Sequence, residues 1–194
     1  MRADTNPLGM LIVSSSQKAA GYIEEMLPAE CFKPIKIVGS GSEARRLLID
    51  NSFDIVIINT PLCDEFGHEL AIDISENVGT GLLLMVKNEI YDEICSRVDG
   101  TGIMVSARPV GRTMFYQTVN LLRCAVVSVH RQTEEKKRLE AKLEEVRIVA
   151  RAKCVLMENM KIGEEEAHRY IEKQSMNNRK TRREFSEDII RLYK

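Results

Sequence analysis

Between Gly111 and Gly163 the chain runs for about 50 residues without a glycine or a proline. Those two residue types are the strongest helix breakers, so the stretch reads as one helix. Its length is several times the roughly 12 residues of an average globular helix. Within it Thr118, Leu122, Ala125, Val129, Gln132, Lys136, Leu139, Leu143, Val146 and Ala150 recur at alternating four- and three-residue spacing. A heptad seam of this kind buries itself against another helix. Too little chain remains to cover it from within. Leu122, Val129, Leu139, Leu143, Val146 and Ala150 are therefore expected to pair two copies of the chain in a coiled coil, the alternative being a helix packed inside one monomer. The charged run Glu134 to Arg138 reads as surface, or as the border between two functional units.

Upstream, short apolar runs alternate with helical patterns. Met10 to Val13, Ile35 to Val38, Asp54 to Ile58, Leu82 to Val86 and Ile103 to Val105 read as five strands. Their apolarity is continuous rather than alternating, which fits strands buried on both faces. Helices are expected around Ala19, Ala20, Ile23 and Leu27; around Ala44, Leu47 and Leu48, with Ser42 as cap; at Glu69 to Glu76; and at Ile90 to Arg97. The alternation predicts an α/β class, a flavodoxin-like doubly wound five-stranded parallel sheet, ahead of an all-α remainder.

Downstream, Lys161 to Gly163 interrupts the long helix, and Glu164 to Glu166 supply the negative charge that suits a helix start. A second helix carries Ala167, Tyr170 and Ile171 inward and ends at Asn177-Asn178. Thr181 can start a third, with Phe185, Ile189 and Leu192 on its inner face. Arg179, Lys180, Arg182 and Arg183 crowd that start. Cations there oppose the helix dipole, so they read as phosphate or base contacts, flanked by Lys153, Arg169 and Lys173. A solvated surface run is the alternative.

The net charge of -1 hides an asymmetry: residues 134–194 hold 16 Lys/Arg and 13 Asp/Glu, whereas the rest hold 12 and 16. The basic half is the better candidate for a nucleic-acid partner. No apolar run approaches the roughly 18 residues that span a bilayer, and the first residues lack a signal-peptide core. Five dispersed cysteines read as reduced thiols in a cytoplasm. With three equally scattered histidines, they give no metal-ligand spacing. No cofactor and no membrane partner is expected.

The C-terminal pattern resembles the ANTAR domain, an RNA-binding module of bacterial transcription antiterminators. Ala152-Lys153, Leu156-Met157, Glu164-Glu165-Glu166-Ala167, Met176, Arg179-Lys180 and Ile189-Ile190 carry the likeness. Gly163 stands where the family often has serine, and Ser175 and Ser186 where alanine is frequent. Residues 10–120 resemble the receiver domain of response regulators. Phe53 to Asn59 ends where receivers place the phosphorylated aspartate, Gly67 falls on the glycine of the next loop, and Arg108-Pro109 on their Lys-Pro. In working receivers an acidic pair binds Mg²⁺, which neutralises the phosphoryl group. Here that pair is Ser14-Ser15, the acceptor is Asn59, the hydroxyl position is Val86 or Lys87, and the lysine is Arg108. Asp54 begins its strand rather than ending it. Asp64 lies in the right loop as an alternative acceptor.

The resemblance implies a receiver-like domain over 1–120 that does not transfer phosphate, a long coiled-coil helix over 112–150 and an ANTAR domain over 134–194. The degenerate pocket of Ser14, Ser15, Asn59 and Arg108 could hold an anion or simply satisfy strand-end backbone groups. The implied function is antitermination: a dimer grips leader-transcript hairpins and keeps the terminator stem from forming. A sensor or regulatory protein would act on the receiver-like domain in place of phosphate. No nucleophile–base constellation suggests an enzyme. Two rivals stand beside this reading, a protein-interaction adaptor and a DNA-binding response regulator.

Overall fold

A computed structural model describes residues 7–28, 30–76 and 79–193. Two compact units divide the chain, one ending at His130 and the other beginning at Arg131.

The first unit alternates strands and helices: β1 (Leu8–Ser14), α1 (Gln17–Met26), β2 (Phe32–Val38), α2 (Gly41–Asp50), β3 (Ile55–Asn59), α3 (His68–Ser75), β4 (Gly81–Lys87), α4 (Tyr91–Arg97), β5 (Met104–Arg108) and the start of α5 (Arg112–Met160). The sheet order is β2-β1-β3-β4-β5 and every pairing is parallel. This is the doubly wound α/β sheet expected from the alternation. The two-residue strand period sends side chains to two cores. Leu11, Val13, Val56, Ile58 and Leu84 pack with Ala44, Leu70, Ile74 and Ile94 of α2, α3 and α4. Met10, Ile12, Ile55, Ile57 and Leu83 pack with Ala20 and Ile23 of α1 and with Phe115, Val119, Leu122 and Val126 of α5.

Local departures from the expected boundaries have physical reasons. The second strand starts at Phe32, earlier than expected, and includes Pro34; an edge strand tolerates the missing N–H. Ser40, not Ser42, caps α2, its hydroxyl accepting the Glu43 N–H at 3.1 Å. Asp54 precedes β3 and accepts the Gly9 N–H at 2.6 Å, so its carboxylate serves the opposite end of the sheet from Asn59.

Leu122 requires a correction. It is only 5% exposed and belongs to the core between α5 and the sheet. The sheet, not a second copy, is its partner, and Leu121 beside it is the exposed residue. The approach is close: a Cβ on Gly81 would stand 2.7 Å from Cγ2 of Val126 and 2.8 Å from Cγ of Leu122. Only a glycine at the start of β4 admits α5 at that distance.

In the second unit, α5 continues to Met160 and is followed by α6 (Glu164–Asn177) and α7 (Arg182–Leu192). Ala152 and Leu156 of α5, Ala167 and Ile171 of α6 and Ile189 of α7 form its core. Thr181 caps α7 as expected, in a capping box. Its hydroxyl accepts the Glu184 N–H at 3.2 Å, and the Glu184 carboxylate accepts the Thr181 N–H at 2.8 Å. Leu192 does not face inward; it is 77% exposed, and Ser186 takes the buried position. At 3.6 residues per turn, Leu192 has rotated about 120° away from Ser186. No helix among the described residues is long and apolar enough to cross a membrane.

Candidate functional site

The carboxyl ends of β1, β3 and β5 carry the four expected pocket residues. Ser14 stands opposite Asn59 in the β1–β3 register. The Asn59 amide donates to the Ser14 hydroxyl at 2.9 Å, and both residues are buried. Ser15 donates to the Pro61 carbonyl at 3.1 Å. The Arg108 guanidinium donates to the Thr60 carbonyl, whose own hydroxyl donates to the Met85 carbonyl at 3.0 Å. Burial pushes Arg108 below the usual arginine pKa, because desolvation penalises a cation.

These side chains bond one another and the strand-end carbonyls, except that Nε of Arg108 is buried without a hydrogen-bond partner among the described residues. None of the four is a carboxylate, and phosphoryl capture needs one as nucleophile and others to hold Mg²⁺. Val86, at the end of β4, is fully buried and brings no hydroxyl. Asp64 is already engaged elsewhere. Its carboxylate accepts the N–H groups of Ser42 and Gly41 at 2.9 Å each and the Ser42 hydroxyl at 2.8 Å. Those bonds, the one from Ser42 N–H foremost, hold its carboxyl down at about 2. Asp64 thus anchors the start of α2. The Asp64 bonds were not legible from local sequence, since the loop and the helix lie more than 20 residues apart; the Ser40 cap was, because its partner Glu43 lies three residues on.

In the second unit the candidate interface is the surface of α6 and α7 with the last turns of α5. Five of the seven expected cations are engaged with carboxylates. Lys153 lies 2.7 Å from Glu164 and holds that carboxyl below its usual range. Lys180 lies 2.6 Å from Asp188, Arg183 3.0 Å from Glu187 and Arg169 3.9 Å from Glu165. Arg182 stands 3.7 Å from Glu145 and 3.9 Å from Glu172, and so ties α7 to α5 and α6. Lys173 and Arg179 make no ion pair among the described residues. Sequence reading missed these pairings. The Lys153 and Lys180 partners lie 11 and eight residues away across turns, outside any local charge pattern. Exposed pairs of this sort contribute about 0–1 kcal/mol each, so they do not lock the cations away from a phosphate.

Tyr170 is half-buried and tilts against Phe185 with ring centroids 6.4 Å apart, at the edge of the core rather than free as a stacking platform. Of the expected seam, Leu139, Leu143 and Val146 are 55%, 53% and 65% exposed, Ala150 is exposed, and Val129 is half-buried in the first unit. A groove of about 450 Å³ is lined by the apolar Val146, Val149 and Ala150 and by Lys142, Lys153 and Arg182, among others. Seam and basic candidates therefore share one surface.

Residues 137–190 match the family model of the ANTAR domain. The fold of the first unit is that of signal receivers. A receiver domain of an HD domain-containing protein from Pseudomonas fluorescens Pf-5 is 18% identical at a TM-score of 0.56, covering 69% of this chain and 97% of that one. The chemotaxis response regulator CheY4 of Vibrio cholerae is 16% identical at 0.53, covering 60% and 99%. A two component transcriptional regulator AraC from Clostridium phytofermentans ISDg is 13% identical at 0.59, covering 63% and 98%. At these identities the likeness is one of fold. Comparison with curated proteins gives no match.

Proposed function

We propose that this chain, whose ANTAR domain follows a receiver-like unit, is an RNA-binding regulator of transcription that acts by antitermination. A dimer holds stem-loops of a leader transcript, and RNA so held cannot form the terminator stem. The observation that carries the reading is the ANTAR match over residues 137–190 on a unit whose surface gathers Arg179, Lys180, Arg182 and Arg183. Loop bases and A-form backbone are met by such flexible or planar cations. No covalent step is required.

The receiver-like unit is read as a control domain that does not use phosphate. The pocket amide of Asn59, bonded to Ser14, supports this. Control then falls to a protein partner docked on that unit. Pairing of two copies is supported by the exposed Leu139, Leu143 and Val146 on α5. Leu121 replaces Leu122 as the exposed leucine further up the helix. Such apolar side chains at heptad spacing are stabilised by a like helix.

A rival reading, the adaptor that never touches RNA, draws support from the ion pairs that already neutralise five of the expected cations. Binding to hairpin RNA and to duplex DNA of the same sequence, each titrated with salt, separates the readings. Preferential hairpin binding that weakens with salt is expected. Equal or better DNA binding would favour a DNA-binding regulator, and binding to neither would favour the adaptor.

A further inference from the structure

We propose that Lys161 and Arg179, two cations held in left-handed turns at either end of α6, make phosphate contacts that need no internal ion pair to open. This rests on the RNA-binding reading and assigns it a specific grip.

The backbone singles these residues out. Lys161 has φ 58° and Arg179 φ 53°, and they are the non-glycine residues with positive φ among those described. A left-handed backbone is costly for an L-residue with a Cβ, and glycine takes it freely. Arg179 sits where glycine is the usual choice. Its N–H donates to the Met176 carbonyl at 3.1 Å, and the Lys180 N–H to the Ser175 carbonyl at 3.0 Å, the paired bonds that close a helix in a Schellman motif. Lys161 directly follows α5, and Gly163, two residues on, is not the one in the left-handed region.

Strain held at exposed positions points to a use. Part of the cost is offset by the attraction of a cation to a helix C-terminus, but any Lys or Arg in the last turn supplies that without the strain. Both side chains are exposed, and neither makes an ion pair among the described residues. The neighbouring Lys180, Arg182 and Arg183 all do. The 14 residues of α6 separate them by about 21 Å of helix. They therefore reach different phosphates of one stem-loop.

Glycine substitution tests this without threatening the fold, because it relieves the backbone. Lys161→Gly, Arg179→Gly and the double variant of the full chain are compared with wild type. The probe is a hairpin enriched by the wild-type chain from a pool with a fixed stem and a randomised loop. Each single variant is expected to keep or raise its thermal midpoint. Each should also weaken hairpin binding by about tenfold and lower the salt slope by roughly 0.7, one released counterion on single-stranded RNA. The two losses should add in the double variant. Arg179→Asn, which tolerates the same turn, should behave like Arg179→Gly. Raised midpoints with unchanged affinity and slope would make the turns mere helix stops and overturn the proposal while leaving RNA binding intact. Failure of the wild type to enrich any hairpin would overturn the RNA reading itself.

Discussion

The side-chain amide of Asn59 donates to the Ser14 hydroxyl at 2.9 Å, across the two strands that in a phosphorylated receiver would bring a nucleophile and a metal ligand together. An amide is a donor where chemistry needs an acceptor with a negative charge. Acetyl phosphate with Mg²⁺ should therefore leave the mass of the chain unchanged. Asn59→Asp should not restore the reaction, because Ser14 and Ser15 supply no charge for the metal. The variant loses the amide donor to Ser14 and buries a carboxylate, so it should also be destabilised by about 1–3 kcal/mol. A stable, acid-labile phosphoryl adduct on the wild type, seen by intact-mass measurement, would refute the phosphate-independent reading.

Acid should act on the anchor of α2. The Asp64 carboxyl moves from 3.8 to about 2 on folding, through bonds from Ser42 and Gly41. A depressed carboxyl contributes stability above its unfolded value and loses it as pH falls through the folded one. The thermal midpoint of wild type should exceed that of Asp64→Asn at neutral pH, and the gap should close between pH 3.8 and about 2. A gap constant across that window would show that the three hydrogen bonds do not depend on the charge.

Ser186 offers a stabilising change. It is fully buried, and its hydroxyl has no hydrogen-bond partner among the described residues. An unsatisfied buried hydroxyl costs roughly 1–3 kcal/mol. Ser186→Ala should raise the stability of the second unit by about 1 kcal/mol, after allowance for the lost oxygen's packing. Chemical denaturation followed by helix signal would show it, and a lower midpoint would mean that the oxygen has a partner such as water.

The seam can be separated from the core by two neighbouring tests. Leu139→Asp with Leu143→Asp places charges on side chains that are 55% and 53% exposed in one copy. The monomer should stay folded, but burying like charges across a seam costs several kcal/mol, so the double variant should sediment as a monomer. Leu122→Asp should instead unfold the first unit at any concentration. If the wild type is monomeric at micromolar concentration, the pairing of two copies fails.

Local patterns were the legible ones. Thr181 could be placed as a cap because its partner Glu184 lies three residues on, and the capping box is a local geometry. Asn59 could be placed at a strand end because Ile55 to Ile58 form an unbroken β-branched run. Leu122 was misplaced because heptad counting finds a stripe without saying what covers it. Here the sheet takes Phe115, Val119, Leu122 and Val126, a stripe that crosses the counted one at Leu122. The engagement of Arg182 with Glu145 and Glu172 was out of reach for a related reason, since it depends on how three helices meet. So did the left-handed turns at Lys161 and Arg179, where a glycine would have been the visible signal and a cation stands instead.

Gly81 decides more than the tightness of one contact. With Val126 and Leu122 within 2.7–2.8 Å of where its side chain would begin, any larger residue there would force the first-unit part of α5 away from the sheet. The seat of that part of the helix on the sheet is thus set by a buried strand residue. A substitution at that position would unseat the helix while leaving every surface residue unchanged.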